Sequence, residues 1–188
     1  RLERARVEGV PWRMIAQTRE IGIGSIMLDL GANIGRTSIP RVVLGDVRCV
    51  YAAEPDPDNY RCLTQNVWSN SLRGLVMPDN VAVGAGPGTL RFERSRFIGS
   101  HRVVGEGMVP KEGTEIIEVP AVAVDTWIEQ QAIDVNEICF IKLDVQGWEL
   151  PALQGARDVL GAKHIAWQVE IDPPQARRSG FDPAEFVR

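Results

Sequence analysis

From Ser25 onward, short apolar runs alternate with helical stretches of about ten residues, and this alternation restricts the possible folds more than any other feature. Strands that alternate with helices favour a parallel sheet with helices on both faces, because parallel strands need long crossovers. We therefore predict an α/β fold with a doubly wound, mostly parallel sheet, whose ligands bind at the carboxyl edge of the strands. The predicted strands are 25–30, 48–53, 75–77, 80–83, 89–93, 116–124, 137–145 and 162–171, and the predicted helices are 34–44, 56–68 and 149–160.

The composition suits one domain with a sizeable core. The chain has 188 residues, of which 44% are hydrophobic and 24% are charged, an ordinary mixture for a globular protein. Residues 1–24 mix charged and apolar side chains and predict an N-terminal helical extension. Residues 25–188 contain no linker that would divide them, so they predict a single domain.

Charge and cysteine content narrow the classes of partner and compartment. The formal net charge is −4, so we expect no overall attraction to nucleic acid or to an anionic membrane. No apolar run approaches the roughly 20 residues of a membrane span. Cys49, Cys62 and Cys139 lack metal-ligand spacing, which predicts free, buried thiols in a cytoplasmic protein and no zinc site.

A glycine loop after the first strand carries the first chemical signal. Gly31, Asn33 and Gly35 stand at alternate positions after Asp29, a spacing typical of class I methyltransferases, whereas a dinucleotide-binding loop needs Gly-x-Gly-x-x-Gly. The glycines let the backbone turn sharply, and the next helix presents unpaired N–H groups. Glu54 ends the second strand, where a carboxylate can accept both hydroxyl protons of a ribose. We predict a nucleoside-type ligand with an α-amino group facing Asp29.

Two further segments are candidates for ligand contacts. Asn80, or Asp79 beside it, is placed to bond an adenine amine while Val81 packs on the ring, although turn chemistry explains the pair equally well. Residues 95–115 hold four glycines and basic side chains without clear periodicity, which is typical of a lid or substrate loop or, alternatively, of a solvated excursion. His101 in this segment is a candidate base.

The run at 140–149 is the most informative part of the sequence. Lys142 and Asp144 share one face of a strand because side chains alternate with period two. Such a pair is costly to bury without a task, and a structural ion pair is the simpler alternative. Glu149 is a candidate acid, but a helix start explains it as well. Glu170 ends another apolar strand, so it too is a candidate functional acid.

Taken together, these segments resemble the FkbM family of methyltransferases over roughly residues 25–171. The matching motifs are DLGANIG at 29–35, YAAEPDPDNY at 51–60, VAVG at 81–84, IKLDVQGWE at 141–149 and LQGA at 153–156. The resemblance implies a class I, Rossmann-like methyltransferase fold with S-adenosyl-L-methionine as its cofactor. The residues that it places at the cofactor are Asp29, Gly31, Asn33, Gly35, Glu54, Asn80, Val81 and Asp144.

The resemblance also implies methyl transfer to a hydroxyl oxygen of a small molecule, a sugar or a secondary metabolite. An alcohol benefits from a nearby base. The candidates are Asp144 and Glu170, with Lys142 orienting or polarising, and His101 as a second choice. Asp144 and Glu170 together with Glu149 are also able to bind a divalent cation, although their spacing does not require one.

Two departures from the family pattern keep other functions open. The family usually has Glu where Gln146 stands, and the C-terminal hairpin of the fold is not evident after Ile171, so that end is either truncated or remodelled. One alternative is a catalytically inactive, methyltransferase-like module that binds a nucleoside or a partner. Another is an NAD(P)-dependent oxidoreductase, which shares the fold and the ribose acid. Nucleic-acid methylation lacks its signature motifs here.

Overall fold

The computed structural model describes residues 25–95, 101–182 and 184. The predicted extension at 1–24 and part of the predicted loop, 96–100, lie outside the described residues. None of the described helices has the length and apolar character needed to cross a bilayer. The strands are β1 (Ile26–Leu30), β2 (Cys49–Ala53), β3 (Val76–Asp79), β4 (Ala82–Gly84), β5 (Gly88–Arg94), β6 (Arg102–Val103), β7 (Glu115–Ala123), β8 (Ile138–Leu143) and β9 (Ala166–Val169). The α-helices are α1 (Ser38–Val43), α2 (Pro57–Ser69), α3 (Val124–Gln130), α4 (Glu149–Gln154), α5 (Arg157–Leu160) and α6 (Pro173–Ser179).

The central sheet is parallel throughout and has the strand order β3-β2-β1-β8-β9. The chain moves outward from β1 to β3 and later returns to the other side of β1 as β8. The strand order therefore reverses between β1 and β8, and the loops after both strands open at the same edge. This arrangement confirms the predicted doubly wound, mostly parallel α/β fold.

A second, smaller sheet has the strand order β4-β7-β5-β6. β4 and β7 are parallel, and β5 is antiparallel to both of its neighbours. The predicted strands at 80–83, 89–93 and 116–124 belong to this sheet. Their periodicity alone does not indicate that they form a sheet separate from the central one. Phe92, Val103 and Val119 form a core of their own, and Trp148 packs against it.

The central strands divide their side chains between the two sheet faces, because neighbours along a strand point in opposite directions. Leu30 of β1 belongs to one hydrophobic cluster and Met27 to the other. Asp29 falls on the Met27 face and has no exposed surface. In β8, Phe140 lies opposite Met27 and Lys142 opposite Asp29. The alternation thus carries a charged pair into an otherwise apolar layer.

The first helix is shorter than the predicted helix at 34–44. α1 begins at Ser38 because Asn33 and Gly35 have φ angles of 53° and 90°, outside the helical region. The residues before it form turns that bring the loop back over the sheet edge. Pro40 lies in the first turn of α1, where a missing N–H is tolerated. Its position in the sequence is therefore consistent with a helix that begins at Ser38.

The predicted helix at 149–160 is interrupted at Gly155, so that α4 and α5 are separate helices. A Cβ atom at Gly155 would lie 2.0 Å from the carbonyl oxygen of Gly84. Real Cβ atoms do not approach backbone oxygens so closely. Glycine is therefore required for α4 to pack directly on β4.

We expect Gly155→Ala to lower the free energy of unfolding by about 2–3 kcal/mol, because backbone atoms must move apart to admit the methyl group. Gly86→Ala is the matched control, since no other atom lies within 4 Å of its Cβ position. Urea unfolding followed by circular dichroism measures both variants. Equal unfolding midpoints would contradict the close packing of α4 on β4.

A helix, α6, follows β9, and residues 170–182 and 184 contain no further strand. The beginning of α6 packs on the turn after β8, where a Cβ atom at Gly147 would lie 2.6 Å from the carbonyl group of Gln175. The end of α6 contacts the second sheet, since Arg102 Nη1 donates to the carbonyl oxygen of Arg178 at 2.7 Å. α6 thus contacts both the turn after β8, at the edge of the central sheet, and the second sheet.

The thiols are free, but the prediction that all of them are buried is wrong. Cys49 is buried, Cys139 is partly buried and Cys62 is exposed on α2. The amphipathic α2 covers the sheet with only one of its faces, so a cysteine on its outer face remains in contact with water. Burial raises the pKa of the Cys49 and Cys139 thiols.

Candidate active site

Three acidic residues occupy equivalent positions, each directly after a parallel strand. Glu54 follows β2, Asp144 follows β8 and Glu170 follows β9. Their backbone N–H groups still donate to the neighbouring strands, at 3.0, 3.0 and 2.9 Å respectively, which fixes the base of each side chain. Because β2, β1, β8 and β9 are neighbours, the acids lie along one sheet edge on both sides of the strand-order reversal. This edge is the candidate active site.

Lys142 supplies a positive charge between Asp144 and the buried Asp29 of β1. Its Nζ lies 3.3 Å from Asp29 Oδ1 and 3.2 Å from Asp144 Oδ2, and it donates to the carbonyl oxygen of Gly31 at 3.3 Å. Burial disfavours the ammonium, but the two carboxylates outweigh burial and raise the pKa of Lys142. Lys142 therefore stays charged at neutral pH, where it orients its partners and cannot remove a proton.

Asp29 is enclosed by the protein instead of opening to the sheet edge. Besides Lys142, its carboxylate contacts Ser38, whose Oγ donates to Oδ2 at 2.5 Å. The predicted contact of Asp29 with the amino group of a ligand stays a prediction, because the carboxylate has no exposed surface in this arrangement. The position of Ser38 in the sequence does not reveal this role, since a serine at a helix start usually indicates a cap.

The glycine loop folds back on the end of β2. Gly31, Asn33 and Gly35 have φ angles of 85°, 53° and 90°, a region that glycine adopts freely and asparagine tolerates. The N–H of Asn33 donates to Glu54 Oε2 at 2.8 Å, and the N–H of Asp56 donates to Oε1 at 3.0 Å. Burial, only partly offset by these hydrogen bonds, raises the pKa of Glu54 to about 7. The loop and the acid that the sequence pairs are therefore in direct contact.

Asn80 ties together the ends of β2 and β3. Its Nδ2 donates to the carbonyl oxygens of Glu54 and Pro55 at 2.8 and 3.0 Å. Val81, which follows it, is partly buried against the central hydrophobic cluster. Asp79 instead accepts a hydrogen bond from an indole N–H of α3 at 2.8 Å. Of the two alternatives for an adenine contact, Asn80 is bonded to the backbone of Glu54 and Asp79 is bonded to α3.

A glutamine joins the acids that follow β8 and β9. Gln146 Nε2 donates to Asp144 Oδ1 and to Glu170 Oε2, both at 2.8 Å. Gln146 Oε1 accepts from Nε2 of Gln175 on α6 at 2.6 Å. In the sequence, Gln146 stands out only as a departure from the family pattern, and Gln175 has no signal at all. Their contacts depend on a turn and a helix that meet only in the folded chain.

The two bridged acids differ in how they hold a proton. The hydrogen bond with Asp144, followed by burial and the Asp144 charge, raises the pKa of Glu170 to about 8. Burial opposes the ionisation of Asp144, but the Lys142 charge and the hydrogen bonds from Glu170 and Gln146 outweigh burial and lower the pKa of Asp144. At neutral pH, Glu170 therefore carries the proton and donates it to the Asp144 carboxylate. A carboxyl group that titrates near neutral pH suits a general base.

Glu149 begins α4 and holds the turn in front of it. Its Oε1 accepts from the N–H groups of Val145 and Gly147, both at 3.1 Å. The residue is 1% exposed, and burial raises its pKa. These contacts agree with the helix-start interpretation. Across the described ranges, no group of three His, Cys, Asp or Glu side chains is arranged to hold a metal ion.

His101 directly precedes β6 of the second sheet. Its Nδ1 accepts from the N–H of Ser95 at 2.9 Å, and its ring packs edge-on against Phe92 with 6.1 Å between centroids. Burial lowers the pKa of His101. Together with Arg94 and Glu115, it lines an open cavity of about 290 Å³. Within the described part of the chain, no hydrogen bond or ion pair joins His101 to the strand-end acids.

Arg94 connects the second sheet to the segment that follows β2. Its Nε donates to Asp56 Oδ2 at 2.7 Å, and its other nitrogens pair with Asp58 and Glu115. Asp56 caps α2 and is fully buried two residues after Glu54. Arg94 therefore lines the cavity around His101 and is also bonded to the residues that follow β2.

The order of the central strands, the glycine loop after β1 and the acid after β2 define a class I methyltransferase fold. The family model for the methyltransferase FkbM domain matches residues 29–186, most of the chain. The chain belongs to the FkbM methyltransferase family, as its motifs predict.

Two relatives are similar to this chain over most of its length. The hexuronic acid methyltransferase AglP of Haloferax volcanii is 28% identical over 165 residues, which cover 87% of this chain and 60% of the relative. The chain thus spans about 60% of the length of that curated protein. The crystal structure of methyltransferase FkbM from Methylobacillus flagellatus matches with a TM-score of 0.53 and 21% identity, over 78% of this chain and 32% of the other. This structural match supports the fold.

Proposed function

We propose that this protein transfers a methyl group from S-adenosyl-L-methionine to a hydroxyl oxygen of a sugar or a related small molecule. The observation that carries the proposal is the position of Glu54, Asp144 and Glu170 after neighbouring strands at the strand-order reversal. Ligands of open α/β sheets bind at this position. Membership of the FkbM family supports methyl transfer, and the similarity to a hexuronic acid methyltransferase supports a sugar acceptor.

The polar groups after β1 and β2 suit a nucleoside ligand. A carboxylate offers about four acceptor positions. Glu54 accepts from Asn33, Asp56 and Asn59, which leaves a position on Oε2 for a ribose hydroxyl. We assign the ribose to Glu54, the adenine to Asn80 and Val81, and the amino-acid end to the residues before and after the strand reversal. Those residues are Asp29, Gly31, Asn33, Gly35 and Asp144.

The chemistry at β8 and β9 suits removal of a proton from the acceptor. Bound S-adenosyl-L-methionine supplies an electrophilic methyl carbon, so the protein aligns the acceptor and takes its proton. Glu170 is exposed at the sheet edge and titrates near neutral pH, so it receives the hydroxyl proton and releases it to water. Lys142 holds the Asp144 carboxylate in place beside it. His101 has no contact with these groups in the described residues, which favours Glu170 as the base.

Isothermal titration with S-adenosyl-L-methionine and S-adenosylhomocysteine tests the proposed cofactor. We expect micromolar binding, and at pH 8 a loss of about tenfold or more in Glu54→Gln, because an amide nitrogen in place of Oε2 cannot accept from a ribose hydroxyl as the carboxylate does. Glu129→Gln, an exposed change on α3, is the matched control. Binding of NADH in place of both ligands would support an oxidoreductase. A folded protein that binds none of the three would contradict the proposal and favour the inactive module.

Cofactor affinity should depend on pH through Glu54. The ionised carboxylate accepts ribose hydroxyls, whereas the protonated acid must first release its proton, and the pKa of Glu54 is about 7. We therefore expect the affinity to fall about tenfold for each pH unit below 7 and to be constant above 8. Titrations from pH 5.5 to 8.5 measure this slope. The same slope in Glu54→Gln would assign it to another group.

Transfer to an acceptor is tested with methyl-labelled S-adenosyl-L-methionine and a panel of neutral sugars and hexuronic acids, with glucuronic acid as the first probe. We expect label in an acceptor that is stable to mild alkali, because a methyl ether resists the hydrolysis that cleaves a methyl ester. Label that alkali releases would show transfer to a carboxylate oxygen and would contradict hydroxyl methylation.

A further inference from the structure

Gln146 uses all of its polar side-chain groups within the site. Its amide nitrogen is shared between Asp144 and Glu170, and its amide oxygen is taken by Gln175. A primary amide has two N–H donors and one carbonyl oxygen, so each has a partner. The side chain therefore has a single orientation that satisfies all three contacts.

The backbone at Gln146 is also constrained. Its φ angle of 57° lies in the left-handed region, which costs a non-glycine residue about 1 kcal/mol or more and persists only where the surroundings impose it. The next residue, Gly147, has φ 94° and lies directly under α6. The strained turn and the contact with α6 together hold the Gln146 amide across the ends of β8 and β9.

Gln175 belongs to α6, a helix that is hydrogen-bonded at both of its ends. Its backbone N–H donates to Asp172 Oδ1 at 3.1 Å, which caps α6, and the far end of the helix is bonded to the second sheet through Arg178. Gln175 thus presents its amide nitrogen to Gln146 from a helix that is fixed at both ends.

Glu170 needs such a fixed partner more than the other acids. It follows the edge strand β9 and is exposed, so that its hydrogen bonds are the contacts that keep it from turning into solvent. The charged groups that face it are Lys142 of β8, Asp144 directly after β8 and Glu149 of α4. Two of these three are acids and repel an ionised Glu170. The contacts that hold it toward Asp144 are hydrogen bonds, and Gln146 bonds both of these carboxyl groups.

We propose that Gln146 is a positioning residue that holds Glu170 against Asp144 as the base for the acceptor hydroxyl, and that Gln175 of α6 keeps Gln146 in this orientation. This inference rests on the proposed function for the role of Glu170 as a base. The positioning itself is a property of the free protein. The network therefore extends the site from the strand ends to a helix that follows the last strand.

The experiment is a ¹³C NMR titration of the Glu170 carboxyl group in the free, full chain, with its signal assigned by its absence in Glu170→Gln. In the wild type the midpoint should lie at about 8, and in Gln146→Met and Gln175→Met it should fall toward 4.5, the ordinary value, as Glu170 turns into solvent. Gln154→Met, an exposed change on α4, is the matched control and should keep the wild-type midpoint. Circular dichroism establishes that each variant is folded.

The second measurement is the rate of methyl transfer, once an acceptor is known. We expect a loss on the order of 10²-fold in kcat for both methionine variants, with the affinity for S-adenosylhomocysteine unchanged. A Glu170 midpoint that stays near 8 or rises in both folded variants would overturn the inference, whatever the activity. A wild type that binds no S-adenosylmethionine but shows the expected midpoints would overturn the proposed function and leave the positioning role standing.

Discussion

Lys142→Met should lower the free energy of unfolding by about 3–5 kcal/mol, the largest loss that we expect from a single conservative change in this chain. Methionine has a similar length and fills the same space, but it leaves the enclosed Asp29 and the partly buried Asp144 without a counter-charge. A buried carboxylate without a partner is costly, since the apolar layer around it cannot replace water. Urea unfolding at pH 7 measures the loss.

Two further variants separate charge pairing from packing. Lys163→Met removes an exposed lysine and should change the unfolding free energy by less than about 0.5 kcal/mol. Asp29→Asn combined with Lys142→Met should recover a large part of the loss, because the buried charge is then absent. If Lys142→Met unfolds at the same urea concentration as Lys163→Met, the ion pair contributes nothing to stability.

Glu170→Gln should lower kcat for methyl transfer by about 10²–10⁴-fold, the range that a general base contributes. The amide keeps the size of the side chain and cannot take a proton. In the wild type, kcat should rise about tenfold for each pH unit up to about 8, the pKa of Glu170, because only the ionised form accepts the hydroxyl proton. The residual rate of the variant should lack this dependence.

The controls for Glu170 distinguish chemistry from binding. Glu129→Gln, the same exchange at an exposed position of α3, should keep both the rate and the pH profile. Glu170→Gln itself should bind S-adenosylhomocysteine as the wild type does, since Glu54 and the glycine loop are unchanged. A variant at Glu170 with wild-type kcat and the same pH slope would move the base to another residue.

The parts of the site that sequence reasoning predicts are those that depend on short spacing. Alternation places Lys142 and Asp144 on one strand face, and the rule for parallel sheets places Glu54, Asp144 and Glu170 at one edge. The pairing of Lys142 with Asp29 depends on which strands are neighbours and is seen only in the structure. Gly31 is required for a reason that the motif alone does not give. A Cβ atom there would lie 1.9 Å from the carbonyl oxygen of Asp144, which is 113 residues away in the sequence.

The parts of the site that sequence reasoning does not predict depend on contacts between distant segments. Gln146 bonds Gln175 across 29 residues, and Arg94 bonds Asp56 across 38. No periodic pattern in the sequence indicates either pair. Gln146 lies in a turn and Arg94 at the end of a strand, and local propensities do not determine the conformation of such positions. The helix at Ser38 starts later than its apolar pattern indicates, since the positive φ angles of the loop override that pattern.

The position of α6 decides where a shortened version of this protein can end. The helix lies outside the central sheet, and a boundary drawn at the last parallel strand would remove it as a peripheral element. Such a cut would uncover the backbone of Gly147, separate Gln146 from Gln175 and release Arg102 from the carbonyl oxygen that it binds. A truncation at Ile171 would thus keep the backbone hydrogen bonds between the strands and still remove the contact that Gln175 makes with Gln146. Expression boundaries for this domain should therefore lie beyond Gly180.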